Sequence, residues 1–516
     1  MMPEKQNLVC LFAHYNPLEQ IAQYVITYLE ELKNNGFKIF FLSNSHVQEE
    51  YRRLLLEKVG DCQIFERENI GADFGAWQWA FENNLLPADT DQLLLANDSL
   101  FGPIFPLSEV FQNMSTREDL DFWGLTDNYQ GGWHLQSYFL LFNRRVFTSP
   151  VFKKVFIQNY NSLNKLELIK NCELQLTASL TAAGFKGVAY IPYESIVPGF
   201  EKWDARNSTH FFWDLLIKKF RFPFIKKELV LQNPENLQEI SKLFPLLKKY
   251  TTYPIEYIQQ SISDYLTYHQ PSTVIGEKIS VLCHLYYPGT IYYFLSKLLV
   301  LNSPSTQFVF NLSAPLYQDS FFTATLRKYF PGSIVIHAPN QGRDIGGKLA
   351  ALELLMKCGI QTDYSLIIHD KVSPHTPTGI QWRDKLLKII APQQLPKIFT
   401  KFRESRQTGV ITAEEFVKHE FDPDRGGFRT TSSDNLLAYI AKYGLNISDY
   451  SFAAGTIFWI RTEILRKFFE VHTPLDVRKE FEKGNALDFD KGTNIHAWER
   501  LFSFVANSQG FKTSGI

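Results

Sequence analysis

The stretch Asn69-Ile70-Gly71-Ala72-Asp73-Phe74-Gly75-Ala76 returns 271 residues later as Asn340-Gln341-Gly342-Arg343-Asp344-Ile345-Gly346-Gly347. The shared pattern is Asn-x-Gly-x-Asp-apolar-Gly-small. The same offset links Tyr15 to Tyr286 and Pro17 to Pro288, each just after an apolar run. Three landmarks in one register read as two copies of one module, and this constrains the fold more than any other feature. The 516 residues leave room for two large domains. The boundaries that follow are a first module over 1–206, a connector over 207–276 and a second module over 277–516.

Within each copy the hydrophobic rhythm is β-α-β-α-β. Residues 8–13 form a continuous apolar run, as a buried parallel strand requires. A helix opens at Pro17, strands follow at 38–42 and 62–65, and the motif comes directly after the third strand. A helix over 76–83 leads to a fourth strand at 91–96, which runs out into Asn97-Asp98-Ser99. Later strands read at 121–126 and 137–143, and a helix over 171–183. The second copy repeats the pattern with strands at 279–285, 307–312, 333–337 and 364–368, the last ending in His369-Asp370-Lys371. Its helix after the motif reads over 348–357, further strands at 409–412 and 454–460, and a final helix over 495–506. The expected class is α/β, a doubly wound sheet with right-handed crossovers, whose ligands bind at the carboxyl ends of the strands.

Composition narrows the function classes. The formal net charge of -1 gives no field for nucleic acid, so no nucleic-acid partner is expected. The five cysteines show no CxxC spacing, which fits a reducing compartment. No run approaches the roughly 20 apolar residues of a membrane span. The polar stretch 1–7 does not read as a secretory signal. The expected location is cytoplasmic. Between 207 and 269, bases alternate with aromatics, as in Phe211-Phe212-Trp213 and Lys218-Lys219-Phe220-Arg221-Phe222-Pro223-Phe224. That stretch reads either as a solvated helical connector whose aromatics pack on the first module or as a peripheral contact with the inner face of the plasma membrane.

The motif itself suits a ligand. Gly71 and Gly342 stand where a strand turns into a helix, permitting positive φ and close backbone approach, and the helix N-terminus favours anions. Asp73 and Asp344 read either as acceptors for a base or sugar hydroxyl or as caps of the helix. GxGxxG and P-loop spacings are both absent. Asp98 and Asp370 close the fourth strands, where a nucleotide-sugar enzyme places carboxylates on Mg²⁺ or Mn²⁺ bridging a diphosphate. Each offers one carboxylate and no DxD. Lys371 could instead neutralise phosphate without metal. An acceptor hydroxyl needs a base, and Glu173 and Glu499, on the late helices of the two modules, are the candidates.

These pieces resemble the rhamnan synthesis protein F family of polysaccharide-assembly glycosyltransferases. The resemblance rests on Asn69 through Ala76, Leu95-Ala96-Asn97-Asp98-Ser99-Leu100-Phe101-Gly102-Pro103, the segment 213–234 with its Pro223-Phe224-Ile225-Lys226-Lys227-Glu228-Leu229 core, Asn340 through Gly346, His369-Asp370-Lys371, Ala454-Gly455-Thr456-Ile457-Phe458-Trp459-Ile460-Arg461, and His496-Ala497-Trp498-Glu499-Arg500-Leu501-Phe502. It implies two tandem GT-A-like modules and transfer of a sugar, typically L-rhamnose from dTDP-L-rhamnose, to a growing or lipid-linked cell-surface polysaccharide. The donor site would use Asn69, Gly71, Asp73 and Asp98 in one module and Asn340, Gly342, Arg343, Asp344, Asp370 and Lys371 in the other. Asp98 and Asp370 are the metal candidates. The modules could be two active sites, or one active site beside a degenerate copy; Arg343 and Lys371 favour the second module as the competent one. The competing reading is a non-catalytic duplicated α/β scaffold that binds a glycan or a partner synthase.

Overall fold

A computed structural model describes residues 6–117, 119–160, 163–271, 275–370, 379–424, 426–485 and 492–516. The chain divides into two units, one holding 1–231 and 239–264, the other 232–238 and 265–516. Both are mixed α/β.

Unit 1 is built on β1 (Leu8–His14), β2 (Phe37–Ser43), β3 (Cys62–Glu66), β4 (Gln92–Asn97), β5 (Leu100–Phe101), β6 (Phe122–Asn128), β7 (His134–Leu135), β8 (Phe139–Asn143), β9 (Gly187–Ile191) and β10 (Ile225–Lys226). The main sheet runs β3-β2-β1-β4-β8-β6, with β9 and β7 both paired to β6. Strands β1 to β4 are parallel, and β8 turns antiparallel against β4. The run Leu-Val-Cys-Leu-Phe-Ala lies at the sheet's centre because helices cover both faces and no polar side is needed. The two-residue β10 reaches back to pair with β5, just past the end of β4.

Unit 2 is built on β11 (Ile279–Leu285), β12 (Thr306–Leu312), β13 (Ile334–Ile336), β14 (Tyr364–His369), β15 (Thr408–Thr412), β16 (Val417–His419), β17 (Phe421–Asp422), β18 (Gly427–Phe428), β19 (Ser451–Ala453), β20 (Phe458–Arg461) and β21 (Lys512–Gly515). Its sheet runs β13-β12-β11-β14-β20-β15-β21. Here too the first four strands are parallel, the fifth is antiparallel, and the last two lie parallel to each other. The two sheets therefore have the same order and the same strand directions. In each, an aromatic-rich cluster packs the helix after the motif onto one sheet face.

Several boundaries differ from the sequence reading. The first helix is Gln23–Asn34, not one opened by Pro17; residues 16–22 are held in turns, with Asn16 accepting from the Leu18 amide at 2.9 Å. Both motif helices begin earlier than expected, at Ala72 and Arg343. Residues 454–457 are a turn rather than the start of a strand, with Gly455 at φ 84° and Thr456 at φ 51°. In 207–231, Trp213, Phe222 and Phe224 are buried in unit 1.

The motif glycines are set by geometry. Gly71 and Gly342 cap their helices at φ 75° and 77°, and the next residues, Ala72 and Arg343, stay left-handed at 47° and 48°. Gly75 and Gly346 then return over the turn: a Cβ there would lie 1.9 Å from the Ile70 carbonyl oxygen and 1.8 Å from that of Gln341. We therefore expect Gly75→Ala and Gly346→Ala each to cost roughly 2 kcal/mol, the ordinary cost of overpacking, despite alanine's better helix propensity. Urea midpoints would show this, with Gly427→Ala, whose Cβ meets nothing within 4 Å, as the silent comparison.

Candidate functional site

The left-handed start swings the helix so that Asp73 lies in its first turn, beside the end of β4. It does not cap the helix: no side chain caps this N-terminus. Its carboxylate accepts instead from the Asn97 amide at 2.6 Å. Asn97 Oδ1 in turn accepts from the Ser99 amide and hydroxyl. Asp98 follows, its Oδ2 3.1 Å from the Lys227 ammonium, which also donates to the Tyr24 hydroxyl at 2.9 Å. Lys226, on β10, lies 3.4 Å from the Ser99 hydroxyl with its ammonium 4.6 Å from the centre of the Tyr138 ring. A third carboxylate, Glu173, accepts from the amide of Ser137 at 3.0 Å and from its hydroxyl, with the His134 ring at 3.7 Å.

These groups tune one another. Burial, reinforced by the charge of Asp98, pushes the Asp73 carboxyl up to about 7. Burial alone would lower Lys227, but Asp98 and Tyr24 more than offset it, and the ammonium is raised. Lys226 has no such partner and is lowered by burial. A carboxyl that titrates near neutrality at the carboxyl end of a parallel sheet can accept a proton, and a lysine beside it can hold an anion.

Unit 2 begins from the same frame and spends it differently. Asp344 also lies in the first turn of its helix, and one turn later Lys348, 1 % exposed, donates to it at 2.7 Å. The same ammonium meets His369 at 2.9 Å and the Thr456 carbonyl at 2.7 Å, while the Thr456 hydroxyl donates to Asp344 at 2.7 Å. Burial would raise the Asp344 carboxyl, yet Lys348 and His369 hold it well below the ordinary carboxylate range. Asp370 accepts from the amides of Tyr286 at 2.8 Å and Tyr287 at 2.6 Å, and burial pushes it up to about 7. Glu499 accepts from the Gly455 amide at 2.6 Å and pairs with Arg500.

The described donor sets form no all-protein cage for a divalent cation. Such ions take several oxygen ligands, but Asp98 is held by an ammonium and Asp370 by two backbone amides. Among the described residues no three histidines, cysteines or acids are grouped to hold a metal.

Of the residues the sequence singled out, Asp73, Asp98 and Glu173 gather around one end of the unit 1 sheet. Gly71 lies under Tyr160 and Gly342 under Phe481. Asn69 is exposed, and Asn340 bonds to Asn485 at 3.0 Å. Arg343 opens its helix. Lys371 lies outside the described residues. The sequence reading did not include Lys226, Lys227 and Lys348 in the site. The lysine pair stood in plain view within Pro223 to Leu229, but its contact with β4 spans more than a hundred residues.

The model of the family described as rhamnan synthesis protein F matches residues 39–511. Two curated proteins are similar over shorter stretches: the virulence protein VirA of Vibrio anguillarum, 31% identical over 209 residues, and the uncharacterized protein y4gN of Sinorhizobium fredii, 30% identical over 189. Each match covers 35% of this chain and, respectively, 66% and 47% of the relative, so the chain spans less than two thirds of either. Among solved structures, the glycosyltransferase GlyE of Streptococcus pneumoniae aligns at 14% identity over 74% of this chain and 90% of its own, with a TM-score of 0.28. Mouse xyloside xylosyltransferase 1 aligns at 10% identity over 35% and 82%, with a TM-score of 0.22. Likeness at these scores is too slight to bear on function.

Because Lys348 is buried, Asp344→Asn leaves a cation short of its counter-charge. The expected loss is about 3 kcal/mol, and adding Lys348→Met in the same chain should restore most of it. The carboxylate's contribution is present at neutral pH and disappears only as pH falls through its depressed folded value, below 3.8. Urea unfolding of the single and double variants at pH 7 tests the pairing.

Proposed function

The chain belongs to the rhamnan synthesis protein F family, and from that premise and the unit 1 site we propose a glycosyltransferase that uses a nucleotide-sugar donor in unit 1. The donor is dTDP-L-rhamnose and the acceptor a growing or lipid-linked cell-surface polysaccharide. The observation that carries this reading is the group at the carboxyl end of the unit 1 sheet: a carboxyl poised near 7, a second carboxylate, and two lysines. Asp73 takes the proton of the acceptor hydroxyl. Glu173, engaged by the Ser137 amide and hydroxyl, is a positioning residue that holds the loop leading into β8. No divalent cation is invoked.

Both units are read as GT-A-like modules, from their common strand order and recurring motif. In unit 2 the carboxylate is neutralised within its own helix, and this favours a second reading for that unit alone: a degenerate copy that binds glycan and does no chemistry. The expectation that unit 2 is the competent one gives way to this assignment. No helix among the described residues is long and apolar enough to cross a membrane. A contact with a membrane's inner face would rest on Lys218, Lys219, Lys248 and Lys249 and not on the buried aromatics.

The test is the melting temperature of the whole protein against dTDP, UDP, GDP and their sugars. A ligand of the native state raises it by mass action. A rise with dTDP that is lost in Asp98→Asn and kept in Asp370→Asn supports the assignment. No rise with any nucleotide removes the transferase reading and leaves the scaffold.

The reaction should also carry an acidic limb. Asp73 works only when ionised, so kcat/KM falls as pH drops below about 7. Asp73→Asn should lower kcat by roughly 10²–10³-fold and abolish that limb in the residual activity. The native state prefers the protonated carboxyl, so this group's stability contribution declines as pH rises from about 4 to 7.

A further inference from the structure

We propose that Lys226, with the Asp98-paired Lys227 beside it, binds the diphosphate of the donor in the role a divalent cation would have, so that unit 1 works without metal. This rests on the transferase reading above and names the device that stabilises its leaving group.

The two lysines differ in what they have left to give. Lys227 is committed, paired to Asp98 at 3.1 Å and to Tyr24 at 2.9 Å. Lys226 is not. Among the described residues no carboxylate lies within ion-pair distance of its ammonium, whose only hydrogen bond is the long one to Ser99 at 3.4 Å. Asp73, Glu173 and Glu228 surround it at longer electrostatic range. Lys226 is half-buried, and an ammonium in that setting without a direct counter-ion is open to pairing with an anion. A diphosphate supplies that anion and displaces little in doing so.

A second observation points the same way. His210, 4 % exposed, keeps both ring nitrogens without a hydrogen-bond partner and lies within electrostatic reach of Lys226 and Glu228. Buried polar atoms are nearly always satisfied, so this enclosed imidazole is short of a partner within electrostatic reach of Lys226. The backbone also favours it. Lys226 sits on β10, hydrogen-bonded to β5 directly after Asp98, which holds the lysines against the end of β4 while they remain far away in sequence.

In the transfer, the bond between the sugar's anomeric carbon and the diphosphate oxygen breaks, and a bond from that carbon to the acceptor oxygen forms. The acceptor proton passes to the Asp73 carboxylate. The electron pair leaves with the nucleoside diphosphate, whose added negative charge falls on Lys226.

The experiment is calorimetric titration of the full chain with dTDP, UDP, GDP and thymidine, in EDTA and then in Mg²⁺ or Mn²⁺, on the wild type, Lys226→Met and Lys226→Arg. The proposal expects one nucleoside diphosphate to bind equally in EDTA and in metal. Lys226→Met should weaken it about tenfold or more, Lys226→Arg should retain it, and thymidine should be indifferent to both. Binding that requires the cation and ignores Lys226→Met overturns the proposal and leaves the transferase reading standing. If no nucleotide binds the wild type under any condition, both fall. Should Lys226→Met fail to fold, Lys226→Gln, with its circular dichroism matched to the wild type, gives the same comparison.

Discussion

The contact between the Gly75 Cα and the carbonyl oxygen of Ile70, repeated between Gly346 and Gln341, is the constraint on which both sites depend. A strand that ends and turns directly into a helix must reverse the direction of its peptide planes. Here it does so through two successive left-handed residues, the second of which carries a side chain. That is a strained solution, and it persists because the surroundings over-determine it. Arg67 reaches the Ile70 carbonyl at 2.9 Å in unit 1, and Arg478 the Gly346 carbonyl at 3.0 Å in unit 2. The result is a helix whose first turn is delivered to the carboxyl end of the central strands, with its aspartate facing the residue that ends the fourth strand.

From that common frame the units differ four residues after the aspartate. In unit 1 it is Trp77, fully buried, whose indole N–H donates to the Leu11 carbonyl at 3.1 Å. In unit 2 it is Lys348, which turns into the same region and neutralises Asp344. An aspartate and a lysine at i and i+4 on one helix favour each other even in isolation, and burial strengthens the pair. Tryptophan can do nothing for Asp73, so that carboxyl stays under the influence of burial and of Asp98, and titrates near neutrality. Lys348, with His369 and Thr456, thus locks Asp344 into a structural network, whereas Asp73 has Asn97 as its direct partner.

The central strand β1 was legible because its unbroken apolar run of six residues has little else to become in a helix-covered sheet. The recurrence of the motif marked the point of interest in each. What escaped reading was set by distance or by backbone strain. Ala72 and Arg343 give no local sign of positive φ, so the helices looked shorter than they are. Ala454 to Ile457 has the composition of a strand, yet Gly455 and Thr456 turn it so that Thr456 meets Lys348. Lys348 itself reads as an ordinary polar position beside the stripe of Leu349, Leu352 and Leu355, and only the fold reveals that it is buried. Lys226 and Lys227 resemble a solvated basic patch until β10 pairs with β5.

The origin of the neutralising cation decides what each unit can do. Lys348 belongs to the same rigid helix as Asp344, and its ammonium shares its three donors among Asp344, His369 and both oxygens of Thr456. Prising it away for a ligand would leave buried polar groups open on every side, so the network is stable and closed. In unit 1 the cations come from a two-residue strand paired with β5 and from the first residue of the helix that follows it. Lys227 secures Asp98, while Lys226 touches one hydroxyl and one aromatic face. A charge held that lightly can transfer its hydrogen bonds to an arriving anion without dismantling the carboxylates beside it, which is the property a leaving-group site needs.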